Sequence, residues 1–278
     1  TSILEDSGYL ARMAFLIDGL MHKIGLHGKS VVPFILGFGC SVPALYATRI
    51  IDNKNERTIT GILIPFIPCS ARTSVIFAIA AAFTGPVMAL GVYLYVIVII
   101  AINGKILSKF LSQPIGLILE IPSLKQPAAK IIFFKTWMKV RQFYKDAVLF
   151  LVGGSILLGW LEYFDISKYV NNFMAPFISF VLGLPKELGS TLVFGFFRKE
   201  LILVMLTQAT GATDIAHLPM SLHQIFVFLI FATLYFPCFT TFVVVIKEFG
   251  AKTAMYSAIL SLIVASLSAI FFRILFQI

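Results

Sequence analysis

Charge is what this sequence has least of. Only 13% of its 278 residues are Asp, Glu, Lys or Arg, against about 25% in soluble domains. With 59% hydrophobic residues and a mean hydropathy of +0.96, the composition excludes a soluble globular domain and places the chain in a bilayer. The apolar runs are of helix length and do not alternate in ten-residue segments, which favours helices over a β-barrel. Acidic residues are scarcer than basic ones, 13 against 22, leaving a net charge of +9. That excess does not point to nucleic acid, because no arginine-rich arm or stacking platform accompanies it. The basic residues cluster between apolar spans, as the positive-inside rule describes. Three cysteines, an odd number and all in or beside apolar runs, exclude a disulfide framework and read as free thiols. His217 and His223 lack i, i+4 ligand spacing. Without a His-rich metal motif, a nucleophile elbow or paired carboxylates, an enzyme is not expected. The chain starts at Thr1 with no signal-peptide pattern, and is expected to be a piece of a longer protein.

What is present is a series of apolar segments, several of them interrupted. Residues 3–24 read as an amphipathic helix too charged to span alone. Gly25-Leu26-His27-Gly28-Lys29-Ser30 resembles the end of a phosphate-binding loop, but Lys23 stands where the motif needs Gly and no strand precedes it; a turn is expected. The run from Val31 to Thr48 holds Pro33, Gly37, Gly39, Cys40 and Pro43. Proline removes a backbone donor and glycine weakens a helix interior, so this run is expected to be a broken membrane segment. A second break is expected at Pro65-Phe66-Ile67-Pro68-Cys69, followed by Arg72 at the start of an apolar run. Arg72 is expected either to snorkel or to be held inside the bundle near Asp52 or Glu56.

Val87–Leu107 is an uninterrupted span. Gln113-Pro114, Glu120-Ile121-Pro122 and Gln126-Pro127 mark a link outside the membrane. Residues 130–145, with five basic residues among Phe133, Phe134, Trp137 and other apolar side chains, read as a basic interfacial helix facing the cytoplasm. Spans follow at 146–164 and 253–276, with an apolar run at 169–184 interrupted by Pro176 and Gly183. Residues 188–209 carry Gly195 and then Arg198-Lys199-Glu200 at membrane depth, and 224–246 is broken at Tyr235-Phe236-Pro237-Cys238. An ionisable residue within a span is a functional candidate, which singles out Glu200, with Lys199 or Arg198 as its partner.

Each half therefore holds a glycine-containing break, at Gly37 and at Gly195, followed by a Pro-Cys break, Pro68-Cys69 and Pro237-Cys238. Paired interrupted segments point to a transport site at the interface of two repeats. The fold expected is all-α: a polytopic membrane helix bundle with two repeats and discontinuous helices. The candidate ligands are Cys40, Cys69, Cys238 and Glu200, and the candidate path-lining or helix-break residues are Gly37, Gly39, Pro43, Pro68, Gly195 and Pro237. Thiols with a carboxylate suit a first-row divalent ion and not an alkali cation, and an incomplete ligand set allows release. The alternative is that each cysteine is a small hydrophobe in a tight packing spot.

Glu5-Asp6-Ser7-Gly8-Tyr9-Leu10-Ala11-Arg12, Gly37 to Ala44, Ala47-Thr48-Arg49, Glu56-Arg57, Pro65 to Arg72, Leu119 to Pro122, Lys199-Glu200 and Tyr235 to Cys238 together resemble the membrane region of the ferrous iron transport protein B family. The resemblance runs in order along nearly the whole chain. It implies a first Gate-type repeat over 1–111 (its C-terminal part), a link and basic helix over 112–145, and a second Gate-type repeat over 146–278. It implies Fe(II) as the transported ion, with Cys40, Cys69 and Cys238 lining its path and Glu200 as the acidic residue of the second repeat. It implies a prokaryotic cell (inner) membrane, no cofactor within this chain, and GTP with Mg on an N-terminal domain that this chain lacks. The implied partners are lipid, Fe(II) and a GTPase domain or subunit. A homo-oligomer is left open, and nucleic acid is not expected. The chain departs from the family pattern at Phe197-Arg198, Ser41 and Pro68. Two other functions remain open: a non-transporting membrane scaffold for a separate GTPase, and a Gate-type transporter of another solute such as a nucleoside.

Overall fold

A computed structural model describes residues 9–26, 28–83, 85–111, 130, 133–134, 136–138, 141, 152–153, 156, 166–197, 199, 201–210, 220–235 and 237–277. Twelve α-helices and no strand occur among them. The first half contains α1 (Tyr9–Ile24), α2 (Val31–Gly37), α3 (Ser41–Ala47), α4 (Lys54–Leu63), α5 (Ser70–Phe83) and α6 (Pro86–Leu111). The second contains α7 (Ile166–Pro176), α8 (Leu188–Phe197), α9 (Leu201–Thr210), α10 (Leu222–Leu234), α11 (Phe239–Phe249) and α12 (Ala251–Gln277). Most of the expected span at 146–164 and the linker proline motifs lie outside the described residues. The described members of the basic helix, among them Lys130, Phe133, Trp137 and Arg141, are helical and exposed.

Among the described residues, four stretches are long and apolar enough to cross a membrane: Lys54–Phe83, Pro86–Phe110, Leu222–Phe249 and Ala251–Leu275. The chain is thus a multi-pass membrane protein. Two of these spans are unbroken, α6 and α12. The other two are pairs of half-helices, α4 with α5 and α10 with α11. The half-helix spans lie inside the bundle, with 61% and 71% of their residues buried against 33% and 28% for the unbroken ones. The backbone explains the sorting. Lipid offers no hydrogen bonds, so an interrupted helix is tolerated only where protein meets its freed amides and carbonyls.

The unbroken spans show which face meets lipid. On α12, Met255, Ile259, Ile263, Leu267 and Ile274 are exposed. Ala258, Ser261, Ala265, Ser268 and Ala269 on the other face are buried. Small residues at helical spacing let backbones approach closely, and α12 packs on α10 along this face.

Breaks occur where the prolines need no donor. Pro33 and Pro43 each sit in the first turn of a helix, α2 and α3, where the amide would be unsatisfied in any case. Pro65 sits in the 3-10 turn Ile64–Phe66 that ends α4. Two clusters of charged residues lie largely on helices. Lys247 and Glu248 belong to α11 and Lys252 to α12, with only Gly250, at φ +88, between the helices. Glu56 and Arg57 belong to α4, capped by the Asn53 side chain, which accepts from the Asn55 amide. Past Pro176 the chain runs through a π-turn, Phe177–Leu182, ending at left-handed Gly183. Arg273 of α12 donates to the carbonyls of Phe180 and Val181 there.

Candidate functional site

The breaks interlock at the centre of the bundle. Phe38–Cys40 separates α2 from α3, and Ile67–Cys69 precedes α5. The Ser70 amide donates to the Gly39 carbonyl at 3.0 Å, so the first break is hydrogen-bonded to the second. Arg72, in the first turn of α5, is only 4% exposed. Its guanidinium donates to the Pro65 carbonyl, to that of Ile67 at 3.4 Å and to that of Tyr235 at 3.1 Å. Arg72 is therefore held inside the bundle by main-chain carbonyls from two breaks, one in each half. Breaking a helix frees carbonyls, and a buried cation needs acceptors; each meets the other's need.

Tyr235 carries the connection further. Its hydroxyl donates to the Leu192 carbonyl of α8 at 3.1 Å, and its ring stacks on Phe231 with centroids 5.6 Å apart. The Lys199 ammonium, 3% exposed, sits 4.7 Å from the Tyr235 ring centroid, an arrangement in which the ring face attracts the cation. Gly195 permits this approach. A Cβ there would meet Ile202 at 2.5 Å and the Tyr235 hydroxyl at 2.7 Å. Arg72, Val75, Lys199, Ile202, Ala232 and Thr233 line a narrow crevice between the two halves.

The cysteines stand at helix starts. Cys40 is the N-cap of α3 and Cys238 that of α11, while Cys69 immediately precedes α5, its carbonyl accepting from the Thr73 amide at 2.8 Å. All three are free and partly buried. Cys238 is hydrogen-bonded to Thr241, Sγ to Oγ1, at 3.0 Å. Cys69 and Cys238, one from each half, follow the two breaks whose carbonyls accept from Arg72. Cys40 follows Gly39, whose carbonyl accepts from the Ser70 amide, and is packed against the apolar cluster that includes Leu45 and Val42. Pro68 and Pro237 each directly precede a cysteine of the group. Gly37 faces Ile67, whose side chain a Cβ would meet at 2.9 Å. Glu200 lies outside the described residues. Among the described residues, no group of three or more His, Cys, Asp or Glu is placed as a metal cluster.

Tyr235 as the hub, and Lys199 as its cation, were not read from the sequence as connected parts. The signal was present in a lysine at membrane depth and an aromatic residue at a Pro-Cys break, but pairing residues 36 positions apart required the fold.

A charged group lies at the far ends of the same half-helices. Glu248 near the end of α11 accepts from Arg57 of α4 at 2.7 Å and forms a two-pronged pair with Arg49, just past α3. Its side chain is 8% exposed. Nearby, Lys29 pairs with Asp52 at 2.6 Å, and Ser30 is hydrogen-bonded to Thr60 at 2.9 Å. The residues that mimic a phosphate loop are thus engaged in holding α4 in place.

Comparison with known proteins agrees with this architecture. The Gate family model, described as nucleoside recognition, matches residues 1–83 and 144–252. The model for the ferrous iron transport protein B C terminus matches 89–139. The chain is 31% identical over 296 aligned positions to a protein named Fe(2+) transporter FeoB from Staphylococcus aureus, covering 98% of this chain and 45% of that protein. A Methanocaldococcus jannaschii protein of the same name is 32% identical, covering 97% and 44% respectively. A Porphyromonas gingivalis protein, named as a fusion of Fe(2+) transport protein A with Fe(2+) transporter FeoB, is 36% identical over 59% of this chain and 20% of its own length. The chain spans less than half the length of these curated relatives. No solved structure matches it significantly. The helical breaks and the family match over most of the chain lead to one assignment: the chain belongs to the Gate family, with a segment similar to the C terminus of ferrous iron transport protein B.

Proposed function

We propose that this chain is the transmembrane core of a ferrous iron uptake transporter of the prokaryotic cell (inner) membrane. Fe(II) passes between its two Gate-type repeats, 1–111 and 146–278, with Cys40, Cys69, Cys238 and Glu200 as transient ligands. The observation that carries the reading is the buried Arg72, hydrogen-bonded to both helix breaks that lead into Cys69 and Cys238. Thiols select a soft first-row ion over alkali cations. The nearby Arg72 and Lys199 oppose a resident dication, so an ion held by the thiols stays briefly, as passage requires. The relatives' printed names, Fe(2+) transporter, support the choice of ion. GTP and Mg act, on this reading, on a GTPase domain or subunit beyond these residues, and the fusion named in one relative fits coupling to further transport proteins.

The test is anaerobic Fe(II) uptake into vesicles containing the chain, alone and with a GTPase-domain partner. Cys69→Ser and Cys238→Ser are each expected to lower uptake at least about tenfold, the effect of losing one ligand from a site this small. Flux equal to that of the native chain would remove the thiols from the path. Absence of flux under both conditions would favour the scaffold reading. The matching family model's description, nucleoside recognition, favours one second reading, transport of a nucleoside. Uptake of labelled uridine by the same vesicles would establish it.

A further inference from the structure

We propose that Arg72 is a positioning residue that holds Cys69 and Cys238 in register across the interface of the two halves. The proposal gives a specific part to a residue outside the ligand set, and its use in transport rests on the thiol path proposed above. Three observations carry it. The guanidinium is buried, so water does not supply its hydrogen bonds. Its acceptors are the carbonyls of Pro65 and Ile67, in the stretch leading into Cys69, and of Tyr235, three residues before Cys238. Pro65 lies in the 3-10 turn that ends α4, with Ile67 just past it, and Tyr235 caps α10, so all three acceptors stand at helix ends, where carbonyls lack intrahelical partners. A planar guanidinium offers five donors in a rigid fork and serves acceptors from two directions at once, which an ammonium on a flexible stem does less well.

The strut therefore does what packing of side chains does poorly. It ties main chain to main chain through one residue, so the two thiols keep a set separation while the half-helices carrying them belong to different halves of the molecule. Lys199 adds a second cation beside the same crevice but is held over the ring of Tyr235. Arg72 donates to both unwound stretches.

The experiment uses the fact that the chain has three cysteines, all free. In a Cys40→Ser background only Cys69 and Cys238 can react. The chain, in lipid vesicles, is treated with a short bis-maleimide, and the intramolecular cross-link is quantified by mass spectrometry of the digested protein. Parallel labelling with a monofunctional maleimide reports the accessibility of each thiol. Arg72→Lys is expected to lower the cross-link yield about twofold, and Arg72→Gln about fivefold, the population change that goes with roughly one lost hydrogen bond. Monofunctional labelling and helical content stay as in the parent. A parent yield retained in both variants overturns the proposal. Should Arg72→Gln fail to fold, Arg72→Lys decides alone, and a yield equal to the parent's overturns it. Iron flux is measured separately. Unchanged flux in Cys69→Ser would end the thiol-path reading and leave the cross-linking result standing.

Discussion

The broken and unbroken spans solve the same problem in opposite ways. The unbroken helices α6 and α12 satisfy every interior backbone group internally and can turn large apolar side chains to lipid. The broken spans α4–α5 and α10–α11 free amides and carbonyls at membrane depth and must find partners inside the protein. Their freed carbonyls find a cation, Arg72, and the freed Ser70 amide finds the Gly39 carbonyl of the neighbouring break. The difference teaches where substitutions will matter. An interior built on polar bonds between main-chain breaks cannot be repacked residue by residue, whereas a lipid-facing surface can.

The comparison can be broken most directly at Arg72. Arg72→Leu strands three carbonyls of the two breaks in a dry interior, and is expected to destabilise the protein by about 3–9 kcal/mol, at about 1–3 kcal/mol per orphaned group. Thermal unfolding in detergent measures it. Next is Gly195→Val, which pushes a side chain into Ile202 and the Tyr235 hydroxyl. Overpacking of this kind costs about 1–3 kcal/mol, and the same scan reads it. Glu248→Gln keeps the shape but weakens the pairs with Arg49 and Arg57. With Arg49 partly exposed, about 1–2 kcal/mol is expected, shrinking as salt is raised. Leu94→Ala on the exposed face of α6 should stay within about 0.5 kcal/mol. A loss as large as that at Gly195 would erase the distinction between the two kinds of span.

The smallest effect belongs to Asp52. Lys29, by its hydrogen bond first and its charge second, holds the Asp52 carboxyl below the ordinary value. A depressed carboxyl contributes stability above its unfolded pKa, about 4, and loses it as pH falls through the lower folded value. The pair is therefore complete at neutral pH and dissolves only in acid. Fully exposed as Asp52 is, Asp52→Asn should match the parent melting temperature at neutral pH in about 0.5 M salt, where such pairs are screened.

Much of this was legible in the residues, for a physical reason. Spans declare themselves by apolar length, and breaks by proline and glycine, because both are local properties of the chain. Pro33, Pro43, Pro65 and Pro237 mark the interruptions that the structure contains. What local reading did not supply was the pairing of the breaks. The sequence left Arg72 between snorkelling and a carboxylate near Asp52 or Glu56, since charges are the usual partners one looks for. Among the described residues it donates to carbonyls, which every residue carries and no sequence displays. In the same way the charges near Lys247 and Glu56 mark helix ends joined by Glu248, which charge alone does not reveal.

The bond between the Ser70 amide and the Gly39 carbonyl has a consequence for how this protein can change over generations. Because neither atom belongs to a side chain, almost any replacement at 39 or 70 leaves both groups in place. Among the twenty amino acids, only proline at 70 deletes the donor. The join between the first two breaks is thus shielded from nearly all single mutations, while the Arg72 strut that reaches the other half can be lost by changing one codon. Drift can loosen the coupling between halves far more readily than the coupling within the first.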